Sequence, residues 1–346
     1  MTQEVRPPSF LEGSPPENFS KGLLEVVLPS EFGPRTQGKV RDIWVRDGVR
    51  IMVTTDRQSA YDRMICTIPG KGEALNMTSA WWFEKTEGFV PNHLIAVPHP
   101  NVLISKQAAA TIPVEVVWRA YMAKSSTPTS VYFNYADRGR RNIYGINFPE
   151  GLRANEQFPK PVLTPTTKAD SGHDEELDDD SASDIADKVG GRGTWGKIKT
   201  MTESLFAYGS HVLRQKGLIL VDTKYEIGID QDGQLMIIDE QHTPDSSRVW
   251  LASSYQEQFN KGENPETYDK EILRRWLAEH DFRGEGMVPI VPDGVIDQMA
   301  SAYEVPYYAL TGHHFSTSTS GSQEIQNAIL QYLNQSSSSD FGSWRL

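Results

Sequence analysis

Two stretches of this chain alternate apolar and polar residues around an Asp-Gly dipeptide, and the remaining elements are arranged about them. The longer begins Asp222-Thr-Lys-Tyr-Glu-Ile-Gly-Ile-Asp, turns at Asp232-Gly233, and returns as Gln-Leu-Met-Ile-Ile-Asp239 before Glu-Gln-His-Thr-Pro-Asp-Ser-Ser-Arg248. Asp-Gly is favoured in a two-residue type I′ loop, so the pattern predicts a hairpin of two strands. That loop pairs Gln231 with Gln234 and sets Glu226 opposite Asp239. Alternation with period two puts Asp222, Lys224 and Glu226 on one face. Like charges facing each other destabilise a ladder, so the two carboxylates call for a cation between them or a raised pKa on one. The working expectation is a cation, Mg2+, with a solvated surface hairpin as the alternative.

The shorter stretch is Gly38-Lys-Val-Arg-Asp-Ile-Trp-Val-Arg46, then Asp47-Gly48, then Val49-Arg-Ile-Met-Val-Thr-Thr55. In a two-residue register Lys39 and Arg41 project from one face. A glycine opening such a strand lets backbone N–H groups approach a phosphate while the two cations offset its charge. Surface cations on an edge strand fit the same pattern. Residues 55–62 follow as a polar loop, and Pro69-Gly-Lys-Gly72 as a turn. A helix is predicted over 73–87, ended by Gly88, with Leu75, Trp82 and Phe83 in the core.

Residues 113–122 predict a strand in which Glu115, Val117, Arg119 and Tyr121 share a face. It runs into Lys124-Ser-Ser-Thr127-Pro128, with Thr127 as N-cap and Pro128 as first helical residue. Arginine, serines and a helix N-terminus are the parts of a phosphate-monoester site; a plain capped helix with a salt-bridged arginine is the rival. Residues 139–165 read as long ordered loops. His173 reads as a solvated loop histidine, and the acidic run through Asp178–Asp180 and Asp184 as a solvated or flexible segment. Ile198, Met201, Leu205, Tyr208 and Val212 mark an amphipathic helix ending at Lys216-Gly217. Further helices are predicted over 265–279, 293–303 and 322–333. The first 37 residues read as irregular, with one early strand in the apolar run at 23–28, and the serine-rich tail as frayed.

Composition narrows the classes. With 346 residues the chain has room for two domains or one large α/β unit. The start lacks a signal-peptide pattern, and no apolar run approaches the ~20 residues of a membrane span. One cysteine, Cys66, excludes intrachain disulfides and a cysteine-cluster metal site, so a cytoplasmic protein is expected. A net charge of −12 argues against a general nucleic-acid binder. Anionic ligands therefore need cations gathered locally.

Six blocks in order carry a resemblance to a known family. They are Gly38-Lys-Val-Arg-Asp-Ile-Trp, Thr55-Asp-Arg-Gln-Ser-Ala-Tyr-Asp, Pro113-Val-Glu-Val-Val-Trp-Arg-Ala-Tyr, Leu163-Thr-Pro-Thr-Thr-Lys-Ala, Asp222-Thr-Lys-Tyr-Glu-Ile-Gly and Asp239-Glu-Gln-His-Thr-Pro-Asp-Ser-Ser-Arg. Over about residues 30 to 280 the chain resembles phosphoribosylaminoimidazole-succinocarboxamide synthase (SAICAR synthetase), in its longer, single-function form. The resemblance implies a ligase of de novo purine synthesis that joins the carboxylate of carboxyaminoimidazole ribonucleotide (CAIR) to the amine of L-aspartate, turning ATP into ADP and phosphate. The implied fold is α+β and ATP-grasp-related. A small antiparallel β N-terminal domain (1–112) would lie over a larger mixed α/β domain (113–285), with ATP in the cleft between, followed by a C-terminal helical extension and tail (286–346).

Carried over by position, the resemblance implies an ATP site of Gly38, Lys39, Arg41, Lys224, Glu226 and Asp239, with Glu226 and Asp239 holding Mg2+. Arg119, Ser125 and Arg248 would hold the CAIR phosphate, and Asp56, Arg57, Ser59 and Lys168 would lie near the aspartate. Lys224 is expected to act on the transferred phosphoryl group, and Asp222 is a candidate base by its shared face. A monomer acting without nucleic acid or membrane is expected. Lys124 departs from a common glycine, Trp44 and Trp118 from residues of other shapes, and Gln241-His242 from an apolar pair. The alternatives are a kinase of related fold, which would transfer phosphate to a hydroxyl, and a nucleotide-binding module without chemistry.

Overall fold

A computed structural model describes residues 17–19, 21–61, 63–125, 127–168, 174–315 and 321–336, and antiparallel sheets carry its architecture. In chain order, β1 (Thr36–Gln37), β2 (Arg41–Arg46) and β3 (Val49–Thr54) precede the small hairpin of β4 (Arg57–Ala60) and β5 (Arg63–Thr67). Helix α1 (Lys71–Thr86) follows, then β6 (Leu94–His99) and β7 (Val102–Lys106). The first sheet has the order β1-β2-β3-β7-β6. The β2–β3 turn is the predicted one: Arg46 pairs with Val49, and Asp47 and Gly48 both have positive φ, 51° and 79°. Two left-handed residues in succession define a type I′ turn, and Asp-Gly tolerates them best.

One face of this sheet buries Trp44, Ile51 and Val53 beneath Leu23, Val26, Leu28 and Phe32. The run at 23–28 buries Leu23, Val26 and Leu28 but leaves Val27 exposed, and it does not form the predicted strand. Its N–H groups go to side chains instead: Leu23 donates to Asp56 Oδ2 at 2.7 Å and Val26 to Asp42 Oδ2 at 3.3 Å. The predicted loop at 55–62 is likewise a correction, because half of it forms the β4 strand, and Asp56, Arg57 and Gln58 are buried.

The second half begins with β8 (Ala110–Thr111) and β9 (Val114–Tyr121), then a short hairpin of β10 (Asn142–Ile143) and β11 (Ile146–Asn147). Next come β12 (Gln157–Leu163), β13 (Thr166–Thr167), α2 (Asp179–Gly190) and α3 (Thr194–Gln215). The chain continues through β14 (Leu218–Ile229), β15 (Leu235–Ile238), β16 (Ser247–Leu251), α4 (Ala252–Lys261) and α5 (Glu271–Glu279). The main path of the seven-stranded sheet is β12-β9-β14-β15; β13 pairs with β9, and β8 and β16 with β14. β12 falls where long loops were predicted. Pro159 and Pro161 obscured it, and they are tolerated because β12 is an edge strand with shifted register against β9. The acidic run is not a free segment but the start of α2. Asp178 caps it by accepting from Ser181 N at 2.9 Å, and Asp179 and Asp180 sit in the first turn, where carboxylates are favoured.

One apolar cluster joins both sheets and α1–α3, with Met52, Trp82, Phe83, Trp118, Leu205, Tyr225 and Ile237 among its members. The backbone also joins the halves, because Asn92, just before β6, bridges Ile237 of β15. Two further helices close the chain. α6 (Asp293–Thr311) packs on α1 and α5, and α7 (Ser322–Ser336) covers the outer face of the five-stranded sheet. α6 outruns its predicted end at 303 and contains Pro306; Tyr307 and Leu310 beyond the proline are buried in the core. Among the described residues no helix is long and apolar enough to cross a membrane.

Candidate active site

The β14–β15 hairpin does not have the predicted register. Ile229 pairs with Leu235 and Glu226 with Ile238, one residue away from Glu226 opposite Asp239. The loop is a type I turn closed from Gly233 N to Asp230 O at 3.1 Å, with Gly233 left-handed at φ 80° and Asp230 N donating to Gln234 O. This is the three-residue loop with a glycine bulge. Asp230 decides it: its Oδ1 accepts from Asp232 N at 2.9 Å and Gln234 N at 2.8 Å, the work aspartate does at the first position of a type I turn. Asp239 therefore leaves the ladder and adopts a left-handed φ of 68°.

Asp239 and Glu226 nevertheless belong to one charged cluster. Glu226 takes Lys224 Nζ at 2.9 Å on one oxygen and Lys168 Nζ on the other. Lys224 also reaches Glu115 at 2.7 Å across the sheet. Arg41 binds Asp239 at 2.5 Å and Glu240 at 2.9 Å. Burial works to raise the Asp239 pKa, but Arg41, then Lys224 and Lys168, outweigh it and hold the carboxyl at about 2. Burial would strip the Lys224 proton, yet Glu226, Glu115 and Asp239 reverse that and raise its pKa. The half-buried Arg50 joins from β3, its pKa lowered by burial despite the nearby Asp239. Each of the two carboxylates is thus matched by cations.

Mg2+ fits this donor set. It binds through one or two carboxylates and completes its shell with water and substrate phosphates. Two carboxylates beside lysines provide that, and the lysines would turn to the phosphates when a metal takes their place. Among the described residues no group of three metal-ligating His, Cys, Asp or Glu side chains occurs. Gly38 and Lys39 form a turn between β1 and β2, with Gly38 N donating to Arg41 O at 2.7 Å, so Gly38 does not open a strand as predicted.

Further along the same face of β14, Asp222 lies between two arginines. Arg119 donates to its Oδ2 at 2.9 Å, and Arg248 Nε to its Oδ1 at 2.9 Å, with a second Arg248 nitrogen on Oδ2. Burial pushes the Asp222 pKa up, but Arg248 and then Arg119 hold it below the usual range. A carboxylate so engaged is a poor proton acceptor at neutral pH, which argues against the predicted base role.

Arg248 then lines a cavity of about 350 Å³ together with Lys124, Ser125, Arg274, Arg275 and Tyr61. Arg119 is not in its wall. The helix expected at Pro128 starts later: residues 128–129 turn, and Ser130, whose Oγ accepts from Phe133 N at 3.4 Å, begins a helical stretch with a π-helical turn, Phe133–Asp137. Ser125 and Thr127 hydrogen-bond each other at 3.1 Å. The cavity's cationic wall therefore comes from side chains rather than a helix end. Arg274 and Arg275 went unread because a paired arginine in an amphipathic helix looks like a solvated face.

The four residues expected near the aspartate are not brought together. Asp56 is buried, accepting from Leu23 N and from Gly72 N at 2.8 Å. Arg57 is fully buried, paired with Asp42 at 2.8 Å and donating to the carbonyls of Leu24 and Gly38. These two side chains bond to protein groups that tie α1 and the 23–28 segment to the first sheet. Ser59 is half-buried on β4, and Lys168 belongs to the carboxylate cluster. His173 lies outside the described residues. The Gln241-His242 departure is structural: the His242 ring meets Trp82 edge-on at 4.8 Å and Tyr225 at 5.4 Å, and a Cβ on Gly209 of α3 would come within 2.7 Å of it.

The chain is similar to known proteins over most of its length. A family model described as SAICAR synthetase matches residues 34–289. The phosphoribosylaminoimidazole-succinocarboxamide synthase of Legionella pneumophila (strain Lens) is 45% identical over 294 residues, 85% of this chain and 92% of that one. The chloroplastic protein of the same name from Arabidopsis thaliana is 41% identical over 298 residues, 85% of this chain and 70% of that one. Among solved structures, the SAICAR synthase of Saccharomyces cerevisiae complexed with SAICAR superposes with a TM-score of 0.72 at 30% identity, covering 85% of this chain and 99% of that one.

Proposed function

The chain belongs to the SAICAR synthetase family, and from that premise we propose how its cleft performs the family's reaction. The protein is an ATP-dependent ligase of purine biosynthesis that joins CAIR to L-aspartate, giving SAICAR, ADP and phosphate. The observation that carries the residue assignment is the shared face of β14. Asp222, Lys224 and Glu226 run along it from the cationic cavity to the carboxylate cluster, over about 13 Å at ~3.3 Å per residue.

We assign the CAIR phosphate to the cavity, with Ser125 and Arg248 as direct ligands and Lys124, Arg274 and Arg275 adding charge. Arg119 acts through Asp222, which it shares with Arg248. ATP lies between the five-stranded sheet and β14–β15, an arrangement related to ATP-grasp enzymes. On this reading residues 1–112 and 113–285 form the two sides of the cleft, and 286–346 an extension. The triphosphate takes Arg41, Lys39, Lys168 and Lys224 from their present partners. Glu226 and Asp239 hold Mg2+, which supplies charge to the phosphates when bound. Lys168, from its place beside Glu226, and Ser59 remain the candidates for the aspartate carboxylates. All these groups come from one chain, so we take the monomer as the working unit, and a free, buried Cys66 is in keeping with the cytoplasm.

A carboxylate is a poor electrophile and must be activated. We propose that a CAIR carboxylate oxygen attacks the γ-phosphorus, the bond to the ADP oxygen breaks, and an acyl phosphate forms. The aspartate amine then attacks the acyl carbon, the carbon–oxygen bond to phosphate breaks, and the amine proton passes to solvent. The protein's part is positioning and charge, from Lys224 above all. Steady-state ADP release should require aspartate and CAIR together; sustained turnover with either alone contradicts the assignment. Oxygen-18 in the CAIR carboxylate should appear in the released phosphate, and its absence would rule out the acyl phosphate.

A further inference from the structure

The segment between Asp239 and Arg248 has an assigned group at each end, and its middle is held from outside both sheets. Asp245 sits there with its carboxylate buried. Oδ2 accepts from Lys71 Nζ at 3.0 Å, and Oδ1 from the Tyr303 hydroxyl at 2.7 Å. Burial works to raise the pKa of this carboxyl, but Lys71 and Lys270, with the tyrosine bond, hold it well below the usual range. Lys71 is itself fully buried, donates to Arg57 O at 2.8 Å, and lies 5.4 Å from the Tyr303 ring centre.

Tyr303 belongs to α6, which starts four residues beyond the family match at 289. Its ring packs in an apolar cluster with Ile296, Met299, Tyr307, Leu75 and Cys66. Phenylalanine would serve that packing equally, whereas a buried hydroxyl is costly unless it is bonded. A phenol has one proton to give, and a charged acceptor binds it most strongly. Asp245 is that acceptor, with Gln58 Oε1 2.7 Å from the same oxygen.

From Asp245 the hold passes in both directions. Asp245 N donates to Thr243 Oγ1 at 3.3 Å, Thr243 Oγ1 donates to Glu240 at 2.7 Å, and Glu240 shares Arg41 with Asp239. On the other side Ser247 Oγ donates to Thr223 at 2.8 Å, beside Arg248. We infer that Tyr303 is a positioning residue for the ligase reaction: by binding Asp245 it fixes the 239–248 segment, so α6 sets the spacing between the metal carboxylate Asp239 and the CAIR arginine Arg248. The inference rests on the assignments made under the proposed function.

The test is steady-state kinetics of Tyr303→Phe at a temperature well below its melting point, varying ATP, Mg2+, aspartate and CAIR in turn. The variant should fold, with kcat/KM for CAIR about tenfold lower or more, as for one lost bond to a charged group, and with a raised Mg2+ requirement. Tyr307→Phe, in the same cluster but away from the segment, should change the melting temperature alone. Asp245→Asn removes the charge at the other end of the bond and should lose kcat/KM in the same direction. A Tyr303→Phe enzyme that melts earlier yet keeps wild-type kinetics and Mg2+ dependence overturns the inference, as do wild-type kinetics in Asp245→Asn should Tyr303→Phe not fold. Wild-type protein without ligase activity would instead sink the proposed function, and the inference with it.

Discussion

The two Asp-Gly hairpins look alike in sequence and fold differently. At Asp47-Gly48 both residues are left-handed and the loop has two residues; at Asp232-Gly233 only the glycine of that dipeptide is, and the loop has three. The difference lies one residue before the loop. Arg46 precedes the first dipeptide directly, and its exposed side chain pairs with Asp47 and accepts nothing from the turn. Asp230 stands two before Asp232 and closes its turn with two accepted hydrogen bonds. The dipeptide licenses a hairpin, and the residue ahead of it selects the register. In this protein the choice moves Asp239 off the ladder and into the reach of Arg41 on the other sheet. A surface hairpin thereby becomes one wall of the cleft proposed for ATP.

The largest effect should come from that wall. Glu226→Gln or Asp239→Asn should cut kcat for ADP formation by two orders of magnitude or more while leaving the circular dichroism spectrum unchanged. Wild-type turnover in either would end the metal assignment. Arg248→Ala should come next, because it removes a charge from the cavity and leaves Asp222 with Arg119 alone. A kcat/KM for CAIR lower by about 10- to 100-fold is expected, from ~1.5–3 kcal/mol for a charge-assisted bond. The KM for ATP should move much less.

The turn chemistry itself is worth less. Asp230→Ala should destabilise the protein by about 1 kcal/mol in urea unfolding, whereas Arg46→Ala at the first hairpin should stay within ~0.5 kcal/mol. Equal effects would mean that Asp230 does not set the second loop.

Acid should also separate the hairpins. His93, whose N–H bonds Ile237 of β15, is held neutral by burial and then by Arg50, at a pKa of about 3, and burial does the same to His242. The folded protein then binds fewer protons than the unfolded chain, so stability is full above pH 6.5 and falls below it. The slope should be on the order of 1 kcal/mol per histidine per pH unit. Replacing His242 with Gln should flatten the decline of melting temperature between pH 7 and 5.

The same contrast explains what was legible. The first hairpin, α1 with its Trp82 and Phe83, and α3 followed from periodicity and end signals, because their local preferences agree with their tertiary roles. Lys224 and Glu226 were readable from alternation alone. Ambiguity entered where a side chain replaces a backbone partner, as Asp56 and Asp42 do for the 23–28 segment, or where edge position excuses prolines, as in β12. The acidic run hid a helix because its carboxylates serve the N-terminus they crowd. Arg57 was expected near the aspartate, but whether a buried arginine faces a ligand or the carbonyls of Leu24 and Gly38 depends on chain segments distant in sequence. Tyr303 could not be read at all, since its partner Asp245 lies 58 residues away.

The central claim is that Asp239, though off the ladder, completes one metal site with Glu226. Equilibrium binding of ATP with and without Mg2+, to wild type and to Asp239→Asn, tests it without any turnover. Wild type should bind ATP about tenfold or more tightly when Mg2+ is present, and the variant should lose that gain. An undiminished Mg2+ effect in Asp239→Asn would contradict the claim.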